Sequence, residues 1–388
     1  MKRYFKCAAA AFVSIAVVMR AALLFRWDEL KRLFAVNTLF SDKKMVYNFS
    51  HMKQVFLHAP VFRGDAAVSE FSFDNRLFLT SELDKWIFEH KVTGLVVLKD
   101  AKLAYENYYH GTKANDLRIS WSVAKSFLSA LTGILLEESV IGDLDDLVIK
   151  YAPKLAGSAY EPVSLRDVLQ MSSGVLFNED YLDKNSDINR MGRELALGGT
   201  LDGFVGKLKK RFAAPGEIMQ YVSIDTHVIG MVLRGATGRS IPDLLSDKII
   251  KHLGFEREPY YITDGEGVAF VPGGLNLTTR DYARFGLMVQ QDGEYRDKQI
   301  VPKSWIRKST VASAKTLPGE DRYGYQWWIA ANDPKEGEFF ACGVYGQYIY
   351  IDRNAQAVIA VNSADRKFLD DGVGEHNIEV LRSIVEML

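Results

Sequence analysis

The sequence has little cysteine, little proline and almost no net charge. Only two of its 388 residues are cysteines, Cys7 and Cys342, which lie near opposite ends of the chain. This excludes a disulfide framework, and without a CxxC or HExxH motif a metal site is not expected. The 48 basic and 49 acidic residues give a net charge of −1, without the basic excess typical of nucleic-acid binders. We therefore expect no metal, no cofactor and no nucleic-acid partner.

The rest of the composition is that of a globular protein with a large core. Hydrophobic residues make up 48% of the chain and charged residues 25%, without a low-complexity tract or a fixed-period repeat. A chain of this length predicts two or three domains, or one large domain with an inserted subdomain. We divide it into an N-terminal segment 1–26, an extension 27–80 and a main domain 81–388.

The N-terminal segment has the layout of a targeting signal. Lys2, Arg3 and Lys6 precede an apolar run over residues 7–19, a pattern typical of secretory signals. Arg20 interrupts the apolar stretch and no small-x-small cleavage site follows, so an uncleaved membrane anchor is also consistent with it. We expect a protein that is exported, periplasmic or membrane-anchored through residues 1–26. The alternative is an apolar helix that packs on the protein itself.

The order of predicted elements indicates an α/β protein of the α+β type. A hairpin over 93–98 and 103–109 comes first, followed by a helix over 121–138. Helical patterns then dominate from about 143 to 270, and another helix is predicted over 280–291. The chain afterwards returns to strands and ends in a helix from 375 to 388. This order predicts an antiparallel sheet flanked by helices, with an inserted all-helical subdomain.

The first chemical motif is Ser122-Val-Ala-Lys125 at the start of the predicted helix 121–138. A spacing of three places the hydroxyl and the amine on one helical face, about one turn apart. A serine hydroxyl needs a neighbouring base or cation to act as a nucleophile, and this spacing supplies one. Ser41 and Lys44 have the same spacing, but Ser122 opens the most apolar helix of the chain, where a lysine needs a partner. A helix cap and a solvated lysine are the alternative interpretation.

The second motif is Tyr221-Val-Ser223, which follows Pro215-Gly-Glu217. Ionising a tyrosine near neutral pH requires a pKa shift of roughly 3 units, on the order of 4 kcal/mol. A cation at about 4 Å with an effective dielectric near 20 supplies a similar energy. Tyr221 held with Lys125 is therefore a candidate general base, although coupled groups titrate together and leave the formal base open. The alternative is that Tyr221 is a packed core aromatic.

The third motif is Gly343-Val-Tyr-Gly346-Gln347, which leads into a predicted strand. Glycines before a strand allow the backbone to approach a substrate closely. A backbone N–H from this stretch, assigned to Gln347, is predicted to form an oxyanion hole with the N–H of Ser122. An ordinary turn between two strands is the alternative.

These three motifs together resemble the serine β-lactamase and DD-peptidase superfamily, on its class C and esterase side. Ser122-Val-Ala-Lys125 matches the S-x-x-K of that superfamily, and Tyr221-Val-Ser223 stands where it has Y-x-N or Y-x-S. Val344-Tyr345-Gly346 stands where many members have K-T-G or H-x-G. The resemblance covers roughly residues 80–388 and implies a β-lactamase/transpeptidase-like fold with an acyl-enzyme mechanism.

Within the superfamily the sequence is similar to the 6-aminohexanoate-dimer hydrolase group. The segments that carry this similarity are Ser122-Val-Ala-Lys-Ser126, Met171-Ser-Ser-Gly-Val175 with Asn178-Glu-Asp-Tyr181, and Gly346-Gln347-Tyr-Ile-Tyr-Ile-Asp352. The resemblance implies that Tyr181, on the loop after the second segment, helps to hold an amide substrate. A loop aromatic that covers the core is the alternative for Tyr181.

One departure from the superfamily pattern bears on the substrate. Val344-Tyr345-Gly346 lacks the lysine that helps β-lactamases and DD-peptidases to hold the substrate carboxylate. We therefore expect a serine hydrolase that cleaves a small amide or ester, with Ser223, Tyr345 and Gly346 among the substrate-binding residues. Two alternatives are a β-lactamase or DD-peptidase acting on cell-wall-like substrates, and a membrane-anchored sensor with little turnover. A helical membrane-associated scaffold is the fourth interpretation.

Overall fold

A computed structural model describes residues 27–74 and 77–388 of the chain. The predicted signal or anchor segment, residues 1–26, lies outside these residues. Within the described part of the chain, no helix is both long enough and apolar enough to cross a membrane.

A seven-stranded antiparallel sheet forms the centre of the molecule. Its strand order is β3-β2-β13-β12-β11-β10-β9, so the first hairpin pairs with the last strand of the chain. The strands are β2 Val92–Lys99, β3 Lys102–Tyr108, β9 Arg322–Tyr323, β10 Trp328–Ile329, β11 Glu338–Gly343, β12 Gln347–Asp352 and β13 Ala357–Ser363.

A second, smaller sheet pairs a strand near the start of the chain with strands from the middle of the sequence. Its strand order is β1-β5-β6-β4, and all its pairs are antiparallel. Its four strands are β1 His58–Pro60, β4 Arg118–Ile119, β5 Tyr260–Ile262 and β6 Leu275–Leu277. A separate two-stranded ribbon consists of β7 Glu294–Tyr295 and β8 Lys298–Gln299.

Helices cover both faces of the large sheet because its strands bury side chains on both sides. Along β12, Tyr348 and Tyr350 belong to one core cluster, whereas Ile349 and Ile351 belong to the other. This alternation follows from the two-residue period of a strand. The helices are α1 Trp27–Leu39, α2 Met45–Asn48, α3 Ser81–Glu89, α4 Ala124–Glu137, α5 Leu165–Leu169, α6 Asp187–Ala196, α7 Leu201–Gly206, α8 Ser223–Thr237, α9 Ile241–Leu245, α10 Lys251–Leu253, α11 Thr279–Gln290, α12 Lys303–Ser309 and α13 Val373–Glu386.

The helix α11 packs closely on the large sheet, and α3 and α13 cover the opposite face. Gly286 permits this contact, because a Cβ atom there would lie 2.6 Å from Val358 Cγ1. The helices between β4 and β5, from α4 to α10, build the remaining body of the protein around α4 and α8, which contact each other.

The α+β fold predicted from the sequence is confirmed, with antiparallel sheets and covering helices. The hairpin of β2 and β3 and the helix α4 also occur where the hydrophobic pattern predicts them. The sequence pattern also predicts a helix over 201–212, within the helical stretch 143–270, but the helix α7 is shorter and ends at Gly206. The extension 27–80 is helical at its start and packs against the main core through Leu39, Met45 and Phe49.

Candidate active site

Ser122 lies on a single 3₁₀ turn, Trp121–Val123, that leads directly into α4. Trp121 has a φ of 42°, in the left-handed region that non-glycine residues rarely adopt. Such a conformation costs on the order of 1–3 kcal/mol and persists only where surrounding contacts fix it. The turn orients Ser122 toward a cavity that its side chain lines, although the residue is only 8% exposed.

Lys125 lies one turn after Ser122 and is fully buried. Its Nζ atom donates hydrogen bonds to Ser122 Oγ and to the carbonyl oxygen of Pro272, each at 2.7 Å. Burial disfavours the charged ammonium and lowers the pKa of Lys125 to about 7, while the Glu179 carboxylate acts in the opposite direction. A substantial fraction of this amine is therefore neutral near pH 7, and in that form it can accept the proton of Ser122.

Tyr221 lies two residues before the start of α8, with its ring next to Lys125. The Lys125 Nζ atom is 5.2 Å from the centre of the Tyr221 ring, which stacks on Trp328 at 5.2 Å. Burial raises the pKa of Tyr221 well above its usual value, and the charge of Glu179 acts in the same direction. Hydrogen bonding to Ser122 and Ser223 acts the other way. The net direction is opposite to the one that a phenolate base requires, so Lys125 is the better candidate for the base.

The carboxylate of Glu179 joins two residues predicted for the site, Tyr181 and Ser223. It accepts hydrogen bonds from both the backbone N–H and the hydroxyl of Ser223, and from the Tyr181 hydroxyl at 2.7 Å. Ser223 is the first residue of α8, and the residue before it, Val222, offers no side-chain cap. A negative charge at this position satisfies an N–H group that the helix leaves free. Tyr181 and Ser223 are thus brought together as predicted, and sequence analysis missed Glu179.

The hairpin of β11 and β12 approaches Ser122 at Gly343, the last residue of β11. A Cβ atom on Gly343 would lie 3.0 Å from the backbone N of Ser122 and 2.8 Å from the carbonyl oxygen of Ser120. Val344 follows and lines the cavity, and its N–H has no backbone acceptor among the turn and loop hydrogen bonds of the described residues. The structure therefore offers the N–H of Val344 as the partner of the Ser122 N–H.

Gly346 and Gln347, predicted to lie in the oxyanion region, support the turn instead of lining the cavity. The Gln347 side chain is buried and donates to the carbonyl oxygens of Val344, Tyr345 and Ser363. The backbone of Gln347 pairs with Gly343 as the first residue of β12. Gln347 does not line the cavity, whereas Val344 does, so Val344 is the better candidate for the oxyanion N–H that the sequence assigned to Gln347.

A cavity of about 170 Å³ lies in front of Ser122. Tyr345 closes part of its rim, with a φ of 65° and a ring that stacks on Phe40 at 5.0 Å. Polar groups of Ser122, Ser223 and Tyr181 are found at the same cavity. Most of the other lining residues are apolar: Val36, Leu39, Phe40, Met52, Phe56, Trp121, Ile188, Met191, Leu195, Ile262, Phe270, Pro272 and Val344.

The geometry suits acyl transfer. A hydroxyl nucleophile has a buried amine at hydrogen-bond distance, a tyrosine beside that amine and backbone N–H groups next to the nucleophile. No group of side chains that could hold a metal ion occurs in residues 27–74 and 77–388.

Comparison with known proteins agrees with this chemistry. Residues 83–380 match the family described as Beta-lactamase. A 6-aminohexanoate-dimer hydrolase of Paenarthrobacter ureafaciens is 28% identical over 294 residues, which are 72% of this chain and 74% of that protein. A structure assigned as a 6-aminohexanoate-dimer hydrolase from Bacillus anthracis has a TM-score of 0.77 and 25% identity, and the match covers 90% of this chain and 96% of the other. A class C beta-lactamase shares the fold at a TM-score of 0.60 and 16% identity, over 79% and 95% of the two chains.

Proposed function

The chain belongs to the beta-lactamase family and is a serine hydrolase, and we propose that it cleaves linear amide or ester bonds through an acyl-enzyme on Ser122. The observation that carries this proposal is the hydrogen bond of 2.7 Å between Lys125 Nζ and Ser122 Oγ. It joins a potential nucleophile to an amine whose pKa is lowered to about 7 by burial. A general base is most effective when its pKa lies near the working pH.

In the first half of the reaction, neutral Lys125 takes the proton of Ser122 Oγ. The oxygen attacks the substrate carbonyl carbon, one C–O bond forms, and the carbonyl oxygen becomes an oxyanion. The backbone N–H groups of Ser122 and of Val344, which lines the cavity directly after Gly343, are our candidates for the donors to that oxyanion. When the intermediate collapses, the bond to the amine or alcohol breaks and that group leaves with the proton.

Tyr221 is placed to pass the proton to the leaving group. Its raised pKa keeps the phenol protonated near neutral pH, so it can donate a proton while it receives one from Lys125. The Tyr221 ring lies 5.2 Å from Lys125 Nζ, which itself donates to Ser122 Oγ, so the phenol is near the reacting groups. In the second half, a water molecule gives a proton to the Lys125–Tyr221 pair and attacks the acyl carbon. The bond to Ser122 Oγ then breaks, and Ser122 recovers its proton.

Two features support a linear amide or ester over a penicillin or a D-Ala-D-Ala peptide. Val344-Tyr345-Gly346 contains no lysine, and no lysine or arginine of the described residues lines the cavity. Such a cation would pair with the carboxylate of a penicillin. The 6-aminohexanoate-dimer hydrolase relative is named for a linear amide, which favours the same substrate class for this chain.

Covalent labelling tests the nucleophile. We expect a fluorophosphonate probe to label the wild type and Ser41→Ala but not Ser122→Ala, because only Ser122 is activated by a buried lysine. Ser41 is exposed, and its spacing to Lys44 is the same. Labelling that persists in Ser122→Ala, or is absent from folded wild type, would overturn the proposal. Strong labelling by a fluorescent penicillin would point to the β-lactamase or DD-peptidase alternative.

A further inference from the structure

We infer that the cavity beside Ser122 is an acyl-chain chamber, and that the substrate is an amide or ester of an uncharged aliphatic acid. This inference rests on the proposed function and defines its substrate class. It is carried by the walls of the cavity, by the position of the proton-transfer groups relative to it, and by the absence of charge along the described lining.

Two separate parts of the chain contribute apolar walls to the chamber. The extension that precedes the main sheet supplies Val36 and Leu39 from α1 and Phe56 from the segment after α2. The helix α6, which contacts α1, supplies Met191 and Leu195. A surface built in this way buries a hydrocarbon chain without competing polar contacts, and the gain rises with each methylene that leaves water.

Few polar side chains line the chamber, and three of them are Ser122, Ser223 and Tyr181, whose hydroxyl donates to the carboxylate of Glu179. The amide of Asn189 also lines it, but its Nδ2 atom already donates to the carbonyl oxygens of Tyr181 and Asp183. None of the described lining residues is lysine, arginine, aspartate or glutamate. A charged group on the distal part of an acyl chain would therefore lose water without gaining an ionic partner, which is costly.

The chamber lies on the acyl side of the scissile bond. Lys125 and Tyr221, which exchange the proton of the leaving group, do not line it, whereas Val344, which carries the candidate oxyanion N–H, does. The leaving group must contact the proton donor. The part of the substrate that stays attached to Ser122 is thus the part that enters the chamber.

A larger side chain in place of Gly192 on α6 would fill part of the chamber. Gly192 lines the cavity, its φ is helical, and a Cβ atom placed on it would have no heavy-atom neighbour within 4 Å. A larger residue also favours the helix, by up to about 1 kcal/mol relative to glycine. Gly192→Leu should therefore shorten the chamber without unfolding the protein.

The experiment measures kcat/KM for p-nitrophenyl esters with straight acyl chains of two to twelve carbons. We expect kcat/KM to rise by up to about 4-fold per added methylene until the chamber is full. We expect the hexanoyl ester to exceed the 6-aminohexanoyl ester, which has the same length but a terminal ammonium, by at least about 10-fold. A flat chain-length profile, or a preference for the ammonium ester, would overturn the inference.

Matched variants distinguish an effect on acyl-chain binding from an effect on catalysis. In Gly192→Leu the ratio of kcat/KM for the long esters to kcat/KM for the acetate should fall by about 10-fold or more, because the new side chain occupies the space that a long acyl chain needs. Gly374→Leu is the control, because Gly374 lies on the exposed start of α13, far from the cavity lining, and also has open space at Cβ. An unchanged chain-length profile in folded Gly192→Leu would contradict the inference. Failure of the wild type to cleave even the acetate in a Ser122-dependent way would instead refute the proposed function.

Discussion

The carboxylate of Glu179 accepts hydrogen bonds from both the backbone N–H and the hydroxyl of Ser223, 44 residues further along the chain. This double contact fixes the first turn of α8 and, two residues earlier, the position of Tyr221. The same carboxylate lies close enough to Lys125 for its charge to raise the pKa of the amine. One loop residue therefore affects both the placement of the proton donor and the strength of the base.

Replacing Glu179 by glutamine should move the pH profile and lower the rate. Loss of the negative charge removes the influence that raises the pKa of Lys125, so the acidic limb of kcat/KM should shift to lower pH. The amide side chain would also keep only one acceptor oxygen for the two Ser223 donors, and we expect kcat/KM to fall about 10-fold. Rate–pH profiles of Glu179→Gln and of the exposed control Glu89→Gln test this. A limb that stays in place or moves to higher pH would count against this role for Glu179.

The wild-type rate should fall as the pH drops through about 7. Burial lowers the pKa of Lys125 to about 7, and only the neutral amine can accept the Ser122 proton. Below that pH the amine is protonated and inactive as a base, whereas above it the neutral form predominates and kcat/KM reaches a plateau. Profiles from pH 5 to 9 with a neutral ester measure this limb.

The matched variant for the pH profile is Lys125→Met, which fills similar space without a titrating amine. Its rate should fall by about 10² to 10⁴-fold and lose the limb near pH 7. Its melting temperature should not drop substantially, because removal of the cost of burying an amine offsets the lost hydrogen bonds. A limb near pH 7 that survives in Lys125→Met would assign that limb to another group.

Tyr221→Phe should distinguish the effect of the Tyr221 hydroxyl on catalysis from the effect of its ring packing on stability. The ring contact with Trp328 at 5.2 Å remains available to phenylalanine, so we expect little change in thermal stability. Without the phenol the leaving group loses its proton donor, and kcat should fall by about 10² to 10⁴-fold, more for an amide than for an activated ester. Tyr47→Phe, an exposed tyrosine on α2, is the control. Equal losses on the amide and the ester would exclude the proton-donor role.

Gly343→Ala should damage the oxyanion region. The new methyl group would lie 2.8 Å from the Ser120 carbonyl oxygen and 3.0 Å from the Ser122 nitrogen, so β11 must move away from Ser122. We expect kcat to fall by about 10² to 10³-fold, the effect of losing one oxyanion donor. Gly206→Ala, whose Cβ would meet only one atom within 4 Å, serves as the control for stability and rate. Wild-type kcat in Gly343→Ala would disprove the close approach.

Local patterns predicted the parts of the fold that depend on local physics. The concentration of strand-forming residues around the turn at Lys99-Asp100 located β2 and β3, and the three-residue spacing placed Ser122 and Lys125 together on one turn. Glu179 was missed because its contacts with Ser223 are tertiary, and nothing in an isolated Asn-Glu-Asp-Tyr segment distinguishes one acid from the next. A glutamate two residues before a predicted site tyrosine was the one available signal.

Tertiary packing also decided the cases in which the sequence was misleading. The segment from Gly343 to Gln347 was correctly associated with Ser122, but the residue in contact is the glycine that ends β11. The apolar residues of the extension 27–80 carry no pattern that separates a core face from a cavity wall. Val36, Leu39 and Phe40 turn out to border the cavity only because α1 packs beside α6.

Part of the cavity wall and the catalytic groups come from two different stretches of the chain. The family match begins at residue 83, after the residues of the extension that border the cavity. Ser122, Lys125 and Tyr221 all lie within the matched part. Exchange of residues 27–80 between related enzymes would therefore alter part of the apolar wall that faces the substrate, while Ser122, Lys125 and Tyr221 stay within the matched part of the chain.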